Sequence, residues 1–405
     1  MPWCPEPDVV QVSVDQEQLD VARSDREGTR TSLSSDTPVN LIRGVAADLC
    51  LQGWGTHFDT CASKVNAAKD YQLSQHTDSI EAFLSHDWQT SRFSKTVALL
   101  IVFNSIPAAW TSFLLALLCC CLLVLDVFPG GWPLASCLCC CGFYFCLCFW
   151  QRIRRLLCVR STLVFLDRLC IAQHDEDLKQ AGILGIAGFL SSSRKLIILW
   201  SPQYCSRLWC TFELGAFLRD EESRPIQFIP VSLSLFLLAQ SVLISSLWGW
   251  SLIISDFEDR ATLVSEDTRF AAYLPVLLGF LLPVGVIIQP IMLHYGLRHM
   301  RELIAVRDRM ANYSIRACEC TCCKVDHCDP GTGSEMLCDR KLIFATLRRW
   351  YGHSTDTDSH TDELWDPEFY LDRFDRLVRE RVASSLLRFD GTRTQVESDF
   401  VPLWL

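Results

Sequence analysis

Charge is missing from this chain in long blocks. Charged residues make up 21% of its 405 positions, yet residues 96–125, 127–151, 226–255 and 270–297 contain no Asp, Glu, Lys or Arg. Core helices of soluble proteins are shorter and keep a polar stripe, so these blocks exclude an ordinary soluble fold. A basic excess is lacking too: 37 Lys and Arg stand against 47 Asp and Glu, a net charge of −10, which excludes a basic nucleic-acid binder. No GxxxxGK[ST] loop, strand-linked GxGxxG or HExxH helix occurs, which removes three common enzyme classes. The blocks hold no ionic side chain to mark an ion path, so a transporter or channel subunit ranks a distant third among the readings.

What the blocks do have is length. Each exceeds the roughly 20 residues that cross about 30 Å of hydrocarbon as a helix. Only Asp126 separates the first two, beside the turn residues Pro129, Gly130, Gly131 and Pro133; an acidic loop at 256–269 separates the others. Four transmembrane helices are therefore expected in a lipid bilayer, as hairpins at 96–151 and 233–297. Arg92, Lys95, Arg152, Arg154, Arg155, Arg160, Arg219, Arg224, Arg298 and Arg301 flank the blocks, while the two loops are poor in Lys and Arg. The positive-inside rule then places both termini and the central segment in the cytosol. No apolar run precedes residue 96, so the first span is the expected insertion signal.

Cysteine usage agrees with this topology. Nine of the 22 Cys fall within the first hairpin, where a thiol behaves as a small hydrophobe. The others lie on segments placed in the reducing cytosol, where disulfides do not persist. Cys148 and Cys158, beside the basic cluster, are acylation candidates, with plain packing as the simpler role.

Residues 1–40 are polar without periodicity, and Leu41, Val45, Leu49 and Leu51 give only weak helical spacing. A disordered or weakly structured tail is expected over 1–75. Residues 79–88 and 160–167 read as short apolar strands ending in polar turns, 195–201 as a buried parallel strand, and 226–232 as a fourth. Between them, 175–190 carries Leu178, Ile183, Ile186 and Phe189, a loop and helix. In 203–218, Trp209, Glu213 and Phe217 fall at i, i+4 and i+8 of a helix that Ser206 is expected to cap. Alternating strands and helices imply a parallel α/β sheet, here split into 76–95 and 152–232 by the first hairpin. Two spans return the chain to its starting side, so both pieces can share one sheet.

Phe83-Leu84-Ser85, Phe165-x-Asp167, Leu178-x3-Gly182-Ile183, Ser193, Leu199-Trp200-Ser201-x2-Tyr204 and Trp209-Cys210-x2-Glu213-Leu214 occur in this order. Together they resemble the TIR (Toll/interleukin-1 receptor) domain of the plant and protist type. The likeness covers about a quarter of the chain. It departs from the family where the hairpin replaces the first surface helix, in the turn 85–88, and where spans stand in place of the last strand and helix.

The resemblance implies a flavodoxin-like α/β domain that serves signalling or protein–protein interaction, pairing with a second copy of itself. Its alternative implication is an NAD glycohydrolase, which cleaves the nicotinamide–ribose bond through an oxocarbenium-like centre that a carboxylate stabilises. Glu213 matches the family's catalytic glutamate; nicotinamide leaves from a cationic ring, so one carboxylate suffices. Ser85, His86, Asp87 and Trp88 stand where the family binds the dinucleotide, Asp167 and Gln173 would line the next loop, and Trp209 would stack on a ring. Without the resemblance, Glu213 reads as a solvated charge beside a packed aromatic, and His86 as a turn histidine rather than a proton shuttle with Asp87.

The cytosolic C-terminal region, 298–405, is cysteine-rich and helical. Cys318, Cys320, Cys322, Cys323, His327, Cys328 and Cys338 offer seven soft ligands, enough for a tetrahedral zinc site. A metal-free reduced loop and membrane-proximal acylation are the alternatives. Residues 341–351 and 368–389 read as helices, the second with an apolar face of Phe369, Leu371, Phe374, Leu377, Val378 and Val382.

Overall fold

The structure is a computed structural model that describes residues 41–59, 67–128, 131–157, 161–219, 224–261, 278, 282–328, 333, 335, 337–352 and 368–387. β1 (Arg43–Ala46), β2 (Ser74–His76), β3 (Ile80–His86), β4 (Leu163–Phe165), β5 (Ser193–Trp200) and β6 (Ile226–Pro230) form one mixed sheet in the order β2-β1-β4-β3-β5-β6. The last four strands are parallel, with Phe83 opposite Phe165, Leu84 opposite Ile197, and Ile198 opposite Phe228. Ile80, Ala82, Phe83 and Leu84 of β3 and Leu196 to Leu199 of β5 are buried, as central strands covered on both faces require. Phe83 stacks on Phe165 with ring centroids 4.4 Å apart, and Phe165 packs on Phe189.

β1 and β2 lie within the segment expected as a tail. They extend the sheet antiparallel from β4, with Val45 opposite Val164. Strands of three and four residues are too short to leave a periodic signal; long-range contacts hold them instead. Arg43 donates to Ser74 Oγ at 2.9 Å and lies over the Tyr71 ring, and Ala47 N donates to the Thr162 carbonyl. The N-terminal residues 1–40 lie outside the described residues.

α1 (Ala47–Cys50) and α2 (Ala67–Gln72) accompany the first two strands. The crossover from β3 to β4 is a helical hairpin, α3 (Arg92–Val124) and α4 (Gly131–Leu156). α3 has two environments: residues 95–100 are buried against the domain, whereas Ile106, Trp110, Leu114 and Leu118 are exposed. Asn104 Nδ2 donates to the Leu147 carbonyl at 2.7 Å and Gln151 Nε2 donates to Asn104 Oδ1, which ties the two helices by polar contacts in an otherwise apolar seam.

α5 (Glu176–Leu184), capped by the Asp175 carboxylate on the amides of Asp177 and Leu178, leads to α6 (Ile186–Ser191) and then β5. α7 (Leu208–Arg219) follows β5. Ser206 does not cap it: its hydroxyl donates to the Gln203 carbonyl and its own carbonyl accepts from Glu319 N. α8 (Val231–Ala261) starts directly after β6, slightly before the expected boundary, and its Ser241 and Ser245 bond the Tyr144 hydroxyl of α4.

Among the described residues, three helices are long and apolar enough to cross a membrane: α3, α4 and the part of α8 over Val231–Leu252. Most of the first half of the fourth expected span lies outside the described residues. Its second half is helical over Pro283–Ile288 and into α9 (Gln289–Ala311), with Val286, Ile287, Ile291 and Leu293 exposed. α10 (Asp339–Tyr351) and α11 (Phe369–Leu387) then fold back on α7. Trp350 stacks on Phe212, and Ile343, Leu347, Leu371 and Phe374 join the same core as the sheet.

Candidate functional site

Counted along the chain, the parallel strands lie in the order second, first, third, fourth, so the succession reverses between β3 and β5. At such a point the loops leaving the two strands diverge and open a crevice at the carboxyl ends, where ligands of open α/β sheets bind. Ser85, His86 and Asp87 come to it from β3, Ser201 and Tyr204 from the exit of β5, and Arg207 and Glu213 from the approach to α7 and its second turn.

Ser85 Oγ lies 2.5 Å from Glu213 Oε2 and 2.6 Å from the Tyr204 hydroxyl, which is 3.1 Å from the Cys210 carbonyl. These are three contacts, and the two hydroxyls supply only two hydrogens. With Glu213 ionised, Ser85 donates to it and one other contact lacks a hydrogen; with Glu213 protonated, all three bonds form in sequence. Burial pushes the Glu213 carboxyl up to about 8, opposed by the Ser85 bond and reinforced by the Asp167 charge. The hydrogen-bond geometry and the burial of the carboxyl thus agree on a protonated Glu213 at neutral pH.

Asp87 joins the two loops. Its carboxylate accepts from Gln89 N at 3.1 Å, Thr90 Oγ1 and Ser201 Oγ, and pairs with Arg207 Nε at 3.8 Å. His86 does not share that network: its ring sits between Phe58 and Trp88, and its Nε2 has no hydrogen-bond partner among the described residues. Burial, then the charge of Lys95, hold the ring neutral. Trp88 Nε1 donates to Asp167 Oδ2 at 3.1 Å, and burial raises Asp167 to about 6. The buried Lys95 ammonium lies 5.6 Å from the Trp88 ring centre and 5.8 Å from that of Phe58.

Of the expected residues, Ser85, Asp87 and Glu213 therefore meet at the crevice, with the Trp88–Asp167 pair beside it. Gln173 is exposed. Trp209 faces the C-terminal region: its Nε1 donates to Asp339 Oδ2 at 3.0 Å and its ring meets the edge of Phe212. Tyr204, Arg207 and Ser201 were not among the expected site residues. Tyr204 and Ser201 stood in the strand-exit pattern, which was a signal that could have assigned them; Lys95 counted only as a flanking charge.

A second constellation forms at the C-terminal region. The ligand atoms of Cys322, Cys323, His327 and Cys338 all lie within 4.8 Å of one another, so this cluster could hold a metal ion. Cys323 Sγ is 3.5 Å from His327 Nε2 and 3.8 Å from Cys338 Sγ. Asp326 and His327 are left-handed at φ 49° and 60°, the turn that brings the imidazole back to Cys323. Cys320 belongs to an adjoining group with Cys322 and Asp339. Cys318 is used elsewhere, its thiol meeting Thr211 Oγ1 and the Cys205 carbonyl, and Cys328 is exposed.

No family model, no curated protein and no solved structure matches the chain. Its class is defined by its own architecture: an α/β sheet whose crossover is a pair of membrane-length helices.

Proposed function

We propose that this is a multi-pass membrane protein holding a TIR-like α/β domain at the cytosolic face of a bilayer for signalling or protein–protein interaction, with a second copy of the chain as one partner. The observation that supports this most is how the crevice spends its polar groups. Asp87 is fully engaged by its own loops, and Glu213 is closed into a chain with Ser85 and Tyr204. Such a network makes the loop surface rigid, as a docking face requires.

The second reading, an NAD glycohydrolase using Glu213, is favoured by one observation: a carboxyl placed against Ser85 at the switch-point crevice, where burial pushes it up to about 8. The carboxyl must be ionised to stabilise an oxocarbenium centre, so cleavage should rise with pH through about 8. One experiment separates the readings. Full-length chain in detergent is incubated with NAD, and a differently tagged copy is tested for co-purification. Interaction without NAD loss supports the first; NAD loss that falls at least about 100-fold in Glu213→Ala supports the second.

The metal suited to the C-terminal cluster is zinc. A three-sulfur, one-nitrogen donor set favours it, and zinc–sulfur bonds of about 2.3 Å give tetrahedral edges of about 3.8 Å. Its role is structural: it clasps the loop at 318–328 to the start of α10, next to the Trp209–Asp339 bond. Metal analysis of the purified full chain should find one zinc, absent in Cys338→Ser; a zinc-free chain that also fails to take up cobalt would sink this assignment.

A further inference from the structure

A cavity of about 680 Å³ opens between the segment around α1, the N-terminal end of α3 and the C-terminal end of α4. Leu100 and Phe149 give it an apolar floor, and Arg152 and Arg155, from the last two turns of α4, stand among its walls. Arg155 pairs with Asp48 at 2.9 Å, while Arg152 is exposed with no ion pair among the described residues. Two guanidiniums therefore face one carboxylate, and the site carries a surplus positive charge.

Trp54 also lines this cavity, with 53% of its surface exposed. Its backbone is left-handed at φ 56°, between Gly53 at 60° and Gly55 at 76°. A bulky residue in that region is strained and persists only where its surroundings enforce it. The enforcement is visible: a Cβ on Gly55 would lie 2.0 Å from Thr96 Oγ1, so the turn is pressed against α3, and the half-exposed indole meets the Phe93 ring at 6.1 Å. A half-exposed indole and arginines at the end of an apolar helix are the side chains found at headgroup depth.

We infer that this cavity binds one anionic phospholipid, its phosphate on Arg152 and the outer face of Arg155, its acyl chain along Leu100 and Phe149. Basic pockets between membrane helices on the cytosolic side take such headgroups. The inference rests on α3 and α4 crossing a bilayer.

Native mass spectrometry of the full chain, extracted from vesicles containing equal phosphatidylserine and phosphatidylcholine, tests it. One phosphatidylserine should be retained per chain, reduced about fivefold in Arg152→Gln and restored in Arg152→Lys. Equal retention of the two lipids, equal retention by Arg152→Gln and the wild type, or a retained peptide in place of lipid would overturn it. Alkaline carbonate extraction of the same vesicles isolates the premise: release of the chain from the membrane fraction would refute the spans themselves, and the site with them.

Discussion

Ser85 and Glu213 are 128 positions apart in sequence, and their side chains touch. The contact has a consequence for stability. Unfolded Glu213 loses its proton near the ordinary 4.5, whereas the folded chain keeps it to about 8. Between these values the folded state holds more protons, so this group makes stability fall as pH rises through the window and contributes no slope below it. Glu213→Gln, which can still donate to Ser85, should flatten the loss of thermal stability between about pH 5 and pH 8. Asp167 titrates in the lower half of that window and remains in both proteins. An unchanged slope would mean that Glu213 is solvated and ionised. At this scale only the resemblance to the TIR pattern made Ser85, Asp87 and Glu213 candidates; helical spacing by itself reads Glu213 as a solvated charge. The partner of Trp209 was not legible: Asp339 lies 130 positions away. Nor could spacing choose among seven cysteine and histidine ligands; the left-handed turn at His327 and the use of Cys318 by Thr211 make that choice.

Elements built on continuous apolar runs, β3, β5 and the long helices, could be read directly, because burial on both faces or in lipid demands such runs. β1 and β2 could not, since their positions depend on Arg43 and on the free edge of β4. The packing of α10 and α11 against α7 was also hidden, although the apolar face of residues 369–382 announced a partner of some kind. Gly215 of α7 lies in that seam, against Phe374 of α11. A Cβ there would lie 2.1 Å from the Phe374 ring, so Gly215→Ala should destabilise the domain by about 1–3 kcal/mol. Thermal unfolding in detergent and protease release of α11 would show it. A substitution without effect on either would mean that α11 is not docked on α7.

For the whole molecule, the organising fact is that two parallel strands of the mixed sheet are joined by a crossover made of two membrane-length helices. Two crossings by α3 and α4 would bring the chain back to its starting side, where β4 pairs with β3. The same parity is expected of the second hairpin proposed from the sequence, which would return the chain through α9 to the exposed Asn312. Asn312-Tyr-Ser314 is a glycosylation acceptor, and it reports sidedness directly. The full chain is synthesised with microsomes, with acceptors engineered into the loops at 127–130 and 262–269 as controls, and its gel shift after glycosidase treatment is read. Modified loops and an unmodified Asn312 are expected, with the sheet, Glu213 and the Cys/His cluster all on the cytosolic side; a glycosylated Asn312 would overturn the paired hairpins and the placement of the domain.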